Sequence, residues 1–263
     1  MGCGRRWRRR GCTTASERAR AYYAALAPHY DGLPHHRPTT VRAVARAAVR
    51  ALRLEEGDLL VDLCCGTGLV SREILRQFPL QYQIVAVDAS EAMLDRLRAN
   101  GDPAIRPVAM DATAFSEFPV RYDKIFVKDA MGELADAGEL LRRIRERLET
   151  GGRLLVAETA PESQTPLFKE ARRRWEARAP RPDELAGLMQ QAGFRVTTGS
   201  LRVRQRLTKE EVLDMVRKRY APVLATFDDA DLRTGMDEMR ERYAHLGWIE
   251  MVHRFDLVIG LGA

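Results

Sequence analysis

The sequence predicts an α/β protein: a seven-stranded, mostly parallel sheet with helices on both faces. Two observations carry this. Apolar strands and helical stretches alternate from Asp58 to the end of the chain. Their spacing matches right-handed strand–helix–strand crossovers, which build a parallel sheet covered on both sides. No internal repeat or low-complexity linker divides the chain, so residues 16–263 read as one domain behind a leader of residues 1–15.

In chain order, "SERARAYYAALAPHYDGL" predicts a helix from Ser16 that ends by Pro28. "TTVRAVARAAVRALRL" predicts a second, capped by Thr39 or Thr40, with Val41, Val44, Ala45, Ala48 and Leu52 at helical spacing and Arg42, Arg46 and Arg50 on the opposite, solvated face. Strand one is "DLLVDLC", followed by a helix over residues 69–77. Strand two, "YQIVAVD", precedes a helix capped by Ser90 and stopped at Asn100-Gly101. "AIRPVAMD" and "YDKIFVKD" are strands three and four, and "AGELLRRIRERLET" is a helix that stops at Gly151-Gly152. "GRLLVAET" is strand five, and "RPDELAGLMQQAGF" a helix ended by Gly193. "RVTTGSLRVRQ" and "HRFDLVIGLG" are strands six and seven. A helical insertion over residues 208–246 separates them and packs over one end of the sheet.

The chain has 263 residues, 45% hydrophobic and 30% charged, which suits a packed core. The net charge of +6 is concentrated partly in the first ten residues, "MGCGRRWRRR", so charge gives little support to nucleic-acid binding. No run is long enough to span a membrane, and the leader lacks the apolar core of a secretory signal. Arg6 stands where a myristoylation signal needs Ser or Thr. The expected compartment is the cytoplasm, and the leader reads as a disordered tail, with an organelle presequence as the alternative. Cys3, Cys12, Cys64 and Cys65 form no Cys-x-x-Cys pair, and His35 and His36 lack the partners of a zinc site, so no metal is expected.

In an open parallel sheet, ligands bind at the carboxyl ends of the strands. Asp62, Asp88, Asp111 and Asp129 fall at such ends, and strand one runs into Gly66-Thr67-Gly68. Glycines there let a ligand approach the backbone closely. A nicotinamide fingerprint would place glycine where Ser71 stands. Neutral glycines behind a carboxylate suit a cationic ligand better than a pyrophosphate.

"VDLCCGTGLV" resembles motif I of class I S-adenosylmethionine-dependent methyltransferases, and "VAVDASEAML", "MDATAF" and "RERLETGGRLLVAET" resemble the following motifs in order. The resemblance implies a Rossmann-like fold, S-adenosyl-L-methionine as cofactor, and in-line transfer of its methyl group to a small-molecule acceptor, a specialised metabolite. It further implies that Asp62 orients the methionine amine and that Gly66 and Gly68 pass close to the amino-acid portion and ribose. Asp88 would hold the ribose hydroxyls, and Ala89 and Met93 flank the adenine. Asp111 would accept from the adenine amino group and Ala112 donate to the ring, while Lys128 offers its carbonyl to the amine and Asp129 faces the substrate. "HYDGL" resembles the segment that closes over the cofactor in menaquinone and ubiquinone methyltransferases, which makes residues 16–38 a lid and Tyr30 part of it.

A base for the acceptor is unassigned; the candidates are Tyr22, His29, His35 and His245, with Tyr23 and His36 nearby. The insertion adds Arg217, Arg219, Tyr220, Tyr243, Trp248, Met215, Met236 and Met239, whose simpler role is its own core. Cys64 and Cys65 read as packing residues. Neither an Asn/Asp-Pro-Pro-aromatic motif nor a Pro-Cys pair follows strand four, which argues against a nucleic-acid acceptor. The alternatives are an NAD(P)-dependent oxidoreductase and a non-catalytic methyltransferase-like binding module.

Overall fold

The computed structural model describes residues 15–262. The basic leader, with Cys3, Cys12 and the Met1-Gly2-Cys3 start, lies outside the described residues. The elements are α1 (Ala15–Tyr30), α2 (Pro38–Leu52), β1 (Leu60–Leu63), α3 (Leu69–Gln77), β2 (Ile84–Asp88), α4 (Glu91–Ala99), β3 (Ile105–Ala109), α5 (Ala112–Glu117), β4 (Tyr122–Lys128), α6 (Ala137–Arg147), β5 (Leu148–Thr159), α7 (Lys169–Glu176), α8 (Pro182–Gln191), β6 (Arg195–Leu207), α9 (Lys209–Arg217), α10 (Asp229–Arg242) and β7 (Ile249–Leu261). Short 3₁₀ turns cover Pro34–His36, Met131–Glu133 and Pro222–Thr226.

The seven strands form one sheet in the order β3-β2-β1-β4-β5-β7-β6. β1 to β5 run parallel, and β7 is antiparallel to both of its neighbours. Sheet order and helices therefore match the expected Rossmann-like, mostly parallel architecture, with β7 as the reversed strand. The chain order turns outward from β1, so the ends of β1 and β4 lie where a ligand crevice opens.

Side chains alternate across the sheet. Val61, Leu63, Ile125 and Val127 join Leu140, Leu141 and Ile144 of α6 and Leu185 and Met189 of α8 on one face. Leu60, Phe126 and Leu155 join Val44, Ala45, Ala48 and Leu52 of α2 and Ile74 of α3 on the other. Each such fully buried aliphatic side chain contributes about 1.5 to 3 kcal/mol. A separate core ties α1, α7, α9 and α10 together through Leu26, Phe168, Val212, Met215, Tyr220, Met236 and Met239.

Several boundaries differ from the sequence expectation. The first helix continues through Pro28 to Tyr30, because the last turn is held from outside by contacts to the glycine loop. α2 begins at Pro38, which needs no N–H at the first helical position, and neither Thr39 nor Thr40 caps it. Thr40 instead accepts a hydrogen bond from Gln205 Nε2. Ser90 stands at the N-cap of α4, but its hydroxyl makes no capping bond. α6 stops at Arg147 and the chain enters β5 three residues before Gly151. There Leu148 pairs with Tyr122, and the register shifts before Lys124 pairs with Arg153. The shift needs glycine: Gly151 has φ +77°, and a Cβ on Gly152 would stand 2.8 Å from the Glu149 carbonyl. α5 and α7 were not foreseen as helices.

Candidate active site

β1 carries Asp62 towards the face covered by α2 and α3, where it is 3% exposed and accepts a hydrogen bond from the Ser71 hydroxyl of α3. Burial pushes its carboxyl up to about 7, against the opposing Ser71 bond. The loop after β1 is left-handed at three positions: Cys64 (φ +64°), Gly66 (φ +56°) and Gly68 (φ +71°). Cys64 accepts a conformation that costs a non-glycine residue about 1 kcal/mol or more. A Cβ on Gly68 would meet Leu97 Cδ1 at 2.6 Å, so glycine is required for α3 and α4 to pack.

Asp88, at the end of β2, accepts from Gly66 N through Oδ2 and from Ser90 N through Oδ1, both at 2.8 Å. One carboxylate thus fixes the glycine loop to the start of α4, and each oxygen keeps a second acceptor site. Ala89 is half-buried and Met93 fully buried. Asp111 caps α5, accepting from Thr113 N at 2.9 Å, and Ala112 is buried behind it.

The segment that follows α1 is tied to this loop. Thr67 Oγ1 donates to Asp31 Oδ1 at 2.5 Å, and Arg72 donates to the Thr67 carbonyl at 2.8 Å. The Tyr30 ring lies over Gly66, 3.7 Å from where a Cβ would be. Asp31, Thr67 and Arg72 were not singled out from sequence; only the Asp31 of "HYDGL" was within reach of it.

Two cavities meet here. A small one of about 40 Å³ is lined by Asp62, Cys64, Cys65 and Leu69. A chamber of about 520 Å³ opens beyond the ends of β4 and β5, walled by Tyr22, Tyr23, Trp175, Tyr220, His253 and Phe255. Tyr30, His35, His36 and Lys128 line both.

The chamber floor is charged. The Lys128 ammonium pairs with the Asp129 carboxylate and stands 5.3 Å from the centre of the Phe255 ring. Asp129 has φ +51° and accepts from Thr159 N at 2.7 Å. Although burial opposes it, the Lys128 charge and these bonds hold the Asp129 carboxyl below the usual range. Glu158 is 7% exposed; its Oε1 accepts from Ala130 N at 3.0 Å and Met131 N at 2.9 Å. Burial, then the charge of Asp129, push its carboxyl up to about 8.

His36 donates from Nδ1 to the Tyr30 carbonyl at 2.8 Å, and burial lowers its imidazole to about 3. The His35 and His36 ring centres are 4.0 Å apart, and those of His35 and His253 are 5.8 Å apart. The Nδ1 atoms of His35 and His253 are buried with no hydrogen-bond partner among the described residues. Burial lowers both imidazoles, that of His253 to about 4.

Of the other candidates, Tyr22 faces the chamber, but its hydroxyl donates to the Arg219 carbonyl at 2.8 Å and burial raises it far above its ordinary value. His29 and His245 are exposed and line neither cavity. Tyr243 and Trp248 are likewise outside the chamber, whereas Tyr220 is in its wall. Cys64 and Cys65 pack against opposite faces of the sheet, and burial raises both thiols. Glu158 and His253 were missed. The signal for Glu158 is the one that marks Asp62 and Asp88, an acid closing an apolar strand.

These groups give a stability prediction. Asp62 and Glu158 have raised folded-state values, so they bind more protons folded than unfolded. Their contribution is complete below the ordinary carboxylate range and is lost as pH rises through about 7 and 8. Asp88, Glu133 and Asp256 shift in the same direction. The buried histidines act oppositely, but only below about pH 6.5. Between about pH 6.5 and 8 the thermal midpoint of the ligand-free protein therefore falls, and Asp62→Asn makes the fall shallower. A midpoint that rises across this window in scanning calorimetry contradicts the assignment.

A family model described as a methyltransferase domain matches residues 34–198, more than half of the chain. The protein belongs to this methyltransferase-domain family. Among relatives, the ubiquinone/menaquinone biosynthesis C-methyltransferase of Geobacter sulfurreducens is 32% identical over 164 residues, 60% of this chain and 63% of the relative. The 2-phytyl-1,4-naphtoquinone methyltransferase of Thermosynechococcus vestitus is 30% identical over 139 residues, 52% of this chain and 62% of the relative. The match thus spans less than two thirds of either relative. Among solved structures, the 4+2 cyclase SpnF superposes with a TM-score of 0.62 at 16% identity, covering 95% of this chain and 96% of that one. A Haemonchus contortus phosphoethanolamine N-methyltransferase bound to S-adenosylhomocysteine gives 0.55 at 16% identity, covering 95% and 60%. At such identity these two likenesses show the shared fold.

Proposed function

We propose that the protein transfers the methyl group of S-adenosyl-L-methionine to a small aromatic acceptor held in the 520 Å³ chamber. The observation that carries this reading is the sharing of Tyr30, His35, His36 and Lys128 between the cavity at Asp62 and the chamber. A cofactor anchored at Asp88 and Asp62 would present its reactive end at those four residues, with the acceptor on the other side.

The residues fit such a cofactor. Gly66 offers a backbone cradle that a Cβ would fill, and Asp88 has an acceptor site left on each oxygen. Asp62, once ionised, suits a cationic amino-acid portion. Asp111 and Ala112 stand at the end of β3 for the adenine, flanked by Ala89 and Met93. Lys128 would contribute its carbonyl. The Tyr30 ring rests on Gly66 and must shift for entry. The cofactor, when bound, supplies an electrophilic methyl group on a sulfonium.

The chain's part is then alignment. The aromatic walls hold a planar acceptor near the shared residues, a proximity effect that accounts for most of the rate in an in-line displacement. We read residues 16–38 as the lid and 208–246 as the cap over this chamber. The relatives' names favour a quinol-like acceptor, and the walls of Tyr22, Tyr23, Trp175 and Phe255 accord with that class and with other phenolic specialised metabolites. No motif for nucleic acid is present, and no helix among the described residues is long and apolar enough to cross a membrane.

Incubation of metabolite extracts with isotopically labelled S-adenosyl-L-methionine, followed by mass spectrometry, tests the reading. A labelled methyl on a phenolic product is expected. Tight binding of S-adenosylhomocysteine with no labelled product would favour a binding module instead.

A further inference from the structure

Glu158 sits at the end of β5, inside the chamber, yet alignment of cofactor and acceptor makes no use of it. Its Oε1 is occupied by the amides of Ala130 and Met131, which fixes the carboxyl plane. Among the described residues no hydrogen bond is made to Oε2. The groups around it are the Lys128–Asp129 pair where β4 ends, the two amides of the following turn, and Asp256 opposite it on β7, with His253 and Phe255 beyond.

We propose that Glu158 is the acid–base residue of this site, with Oε2 taking the proton that a weakly acidic hydroxyl of the acceptor gives up. The inference rests on the methyl-transfer reading of the chamber. The acceptor O–H bond breaks and the proton passes to Oε2. The electron pair left on the acceptor forms the new bond to the methyl carbon, and the methyl–sulfur bond breaks with its pair remaining on sulfur. For transfer to oxygen the balance closes there. For transfer to a ring carbon, the hydrogen on that carbon moves to the oxygen as the ring regains aromaticity. No oxidant or reductant is consumed, and Glu158 returns its proton to water.

Other chamber groups are less suited. His36 and His253 are buried imidazoles lowered to about 3 and 4, so they stay neutral and are weak bases. The Tyr22 hydroxyl is committed to a carbonyl, and Asp129 is neutralised by Lys128. Glu158, raised to about 8, lies close to physiological pH, where a general base is most effective.

The test compares wild type, Glu158→Gln and Glu158→Asp with 1,4-naphthohydroquinone as the probe acceptor. Glutamine keeps an oxygen for the two amides and loses the titrating proton. The wild-type kcat rises with pH through an inflection near 8, and Glu158→Gln lowers kcat by about 100-fold or more. The inflection disappears, KM and S-adenosylhomocysteine affinity stay within about threefold, and Glu158→Asp recovers part of the rate. An independent readout needs no ligand: in the infrared difference between wild type and Glu158→Gln a protonated carboxyl band is lost near pH 8, while the Asp62 carboxyl, which ionises near 7, is common to both proteins and cancels. A Glu158→Gln enzyme that keeps wild-type kcat and its pH inflection overturns the proposal, as does a difference spectrum without that band. Absence of methyl transfer by wild type would overturn the proposed function instead, and the infrared titration then decides the acid–base role alone.

Discussion

Asp88→Ala is expected to raise the dissociation constant for S-adenosylhomocysteine by at least about 100-fold, because two carboxylate–hydroxyl bonds at about 1.5 to 3 kcal/mol each are removed together. The loss has a structural component. Gly66 N and Ser90 N both donate to this carboxylate, so alanine leaves the glycine loop without its tie to α4. Asp88→Asn separates the two effects. Its amide oxygen retains one acceptor and holds one of the amides, so the loop is better kept than in alanine while ribose binding is weakened. Isothermal titration of both variants checks this. Equal affinity in wild type and Asp88→Ala would remove the ribose from this site.

The second large effect is on stability. Asp129→Ala is expected to destabilise the ligand-free protein by about 1.5 to 3 kcal/mol, because it leaves the half-buried Lys128 ammonium without its nearest counter-charge. Thr159 N also loses its acceptor. Combining Lys128→Met with Asp129→Ala removes the stranded charge, so the double variant is more stable than Asp129→Ala alone. Denaturant unfolding of the three variants measures this. The site chemistry gives a cross-check: Asp129 holds the Glu158 carboxyl up, so Glu158 ionises at lower pH in Asp129→Ala. A double variant no more stable than Asp129→Ala would show that the pair is not what holds this corner together.

The part of the site proposed for the cofactor was legible in the sequence as a cluster because its parts are local. Asp62, Gly66 and Gly68 lie within seven residues on one strand end and loop, and Asp88 ends the next strand in order. A positive φ at two glycines and an acid inside an apolar strand are demands that sequence letters express directly. The chamber was not legible, because α1, the ends of β4 and β5, the turn at 222–226 and β7 meet there from across the chain. Lys128 shows the limit well. The family resemblance implies a role for its carbonyl and says nothing of its side chain, which pairs with Asp129 in the chamber floor. Strand direction is a similar case. The apolar pattern of residues 253–262 identifies a strand, but nothing in such a pattern says that β7 inserts antiparallel between β5 and β6. His253 could not be placed in the chamber without that knowledge.

The sharpest test is a crystal structure with S-adenosylhomocysteine bound. The ribose hydroxyls are predicted on Asp88, the amino-acid portion beside Asp62, and the sulfur at the boundary formed by Tyr30, His35, His36 and Lys128, facing the chamber. A ligand bound elsewhere, or one whose sulfur points away from the chamber, would contradict the assignment of that chamber as the site of methyl transfer.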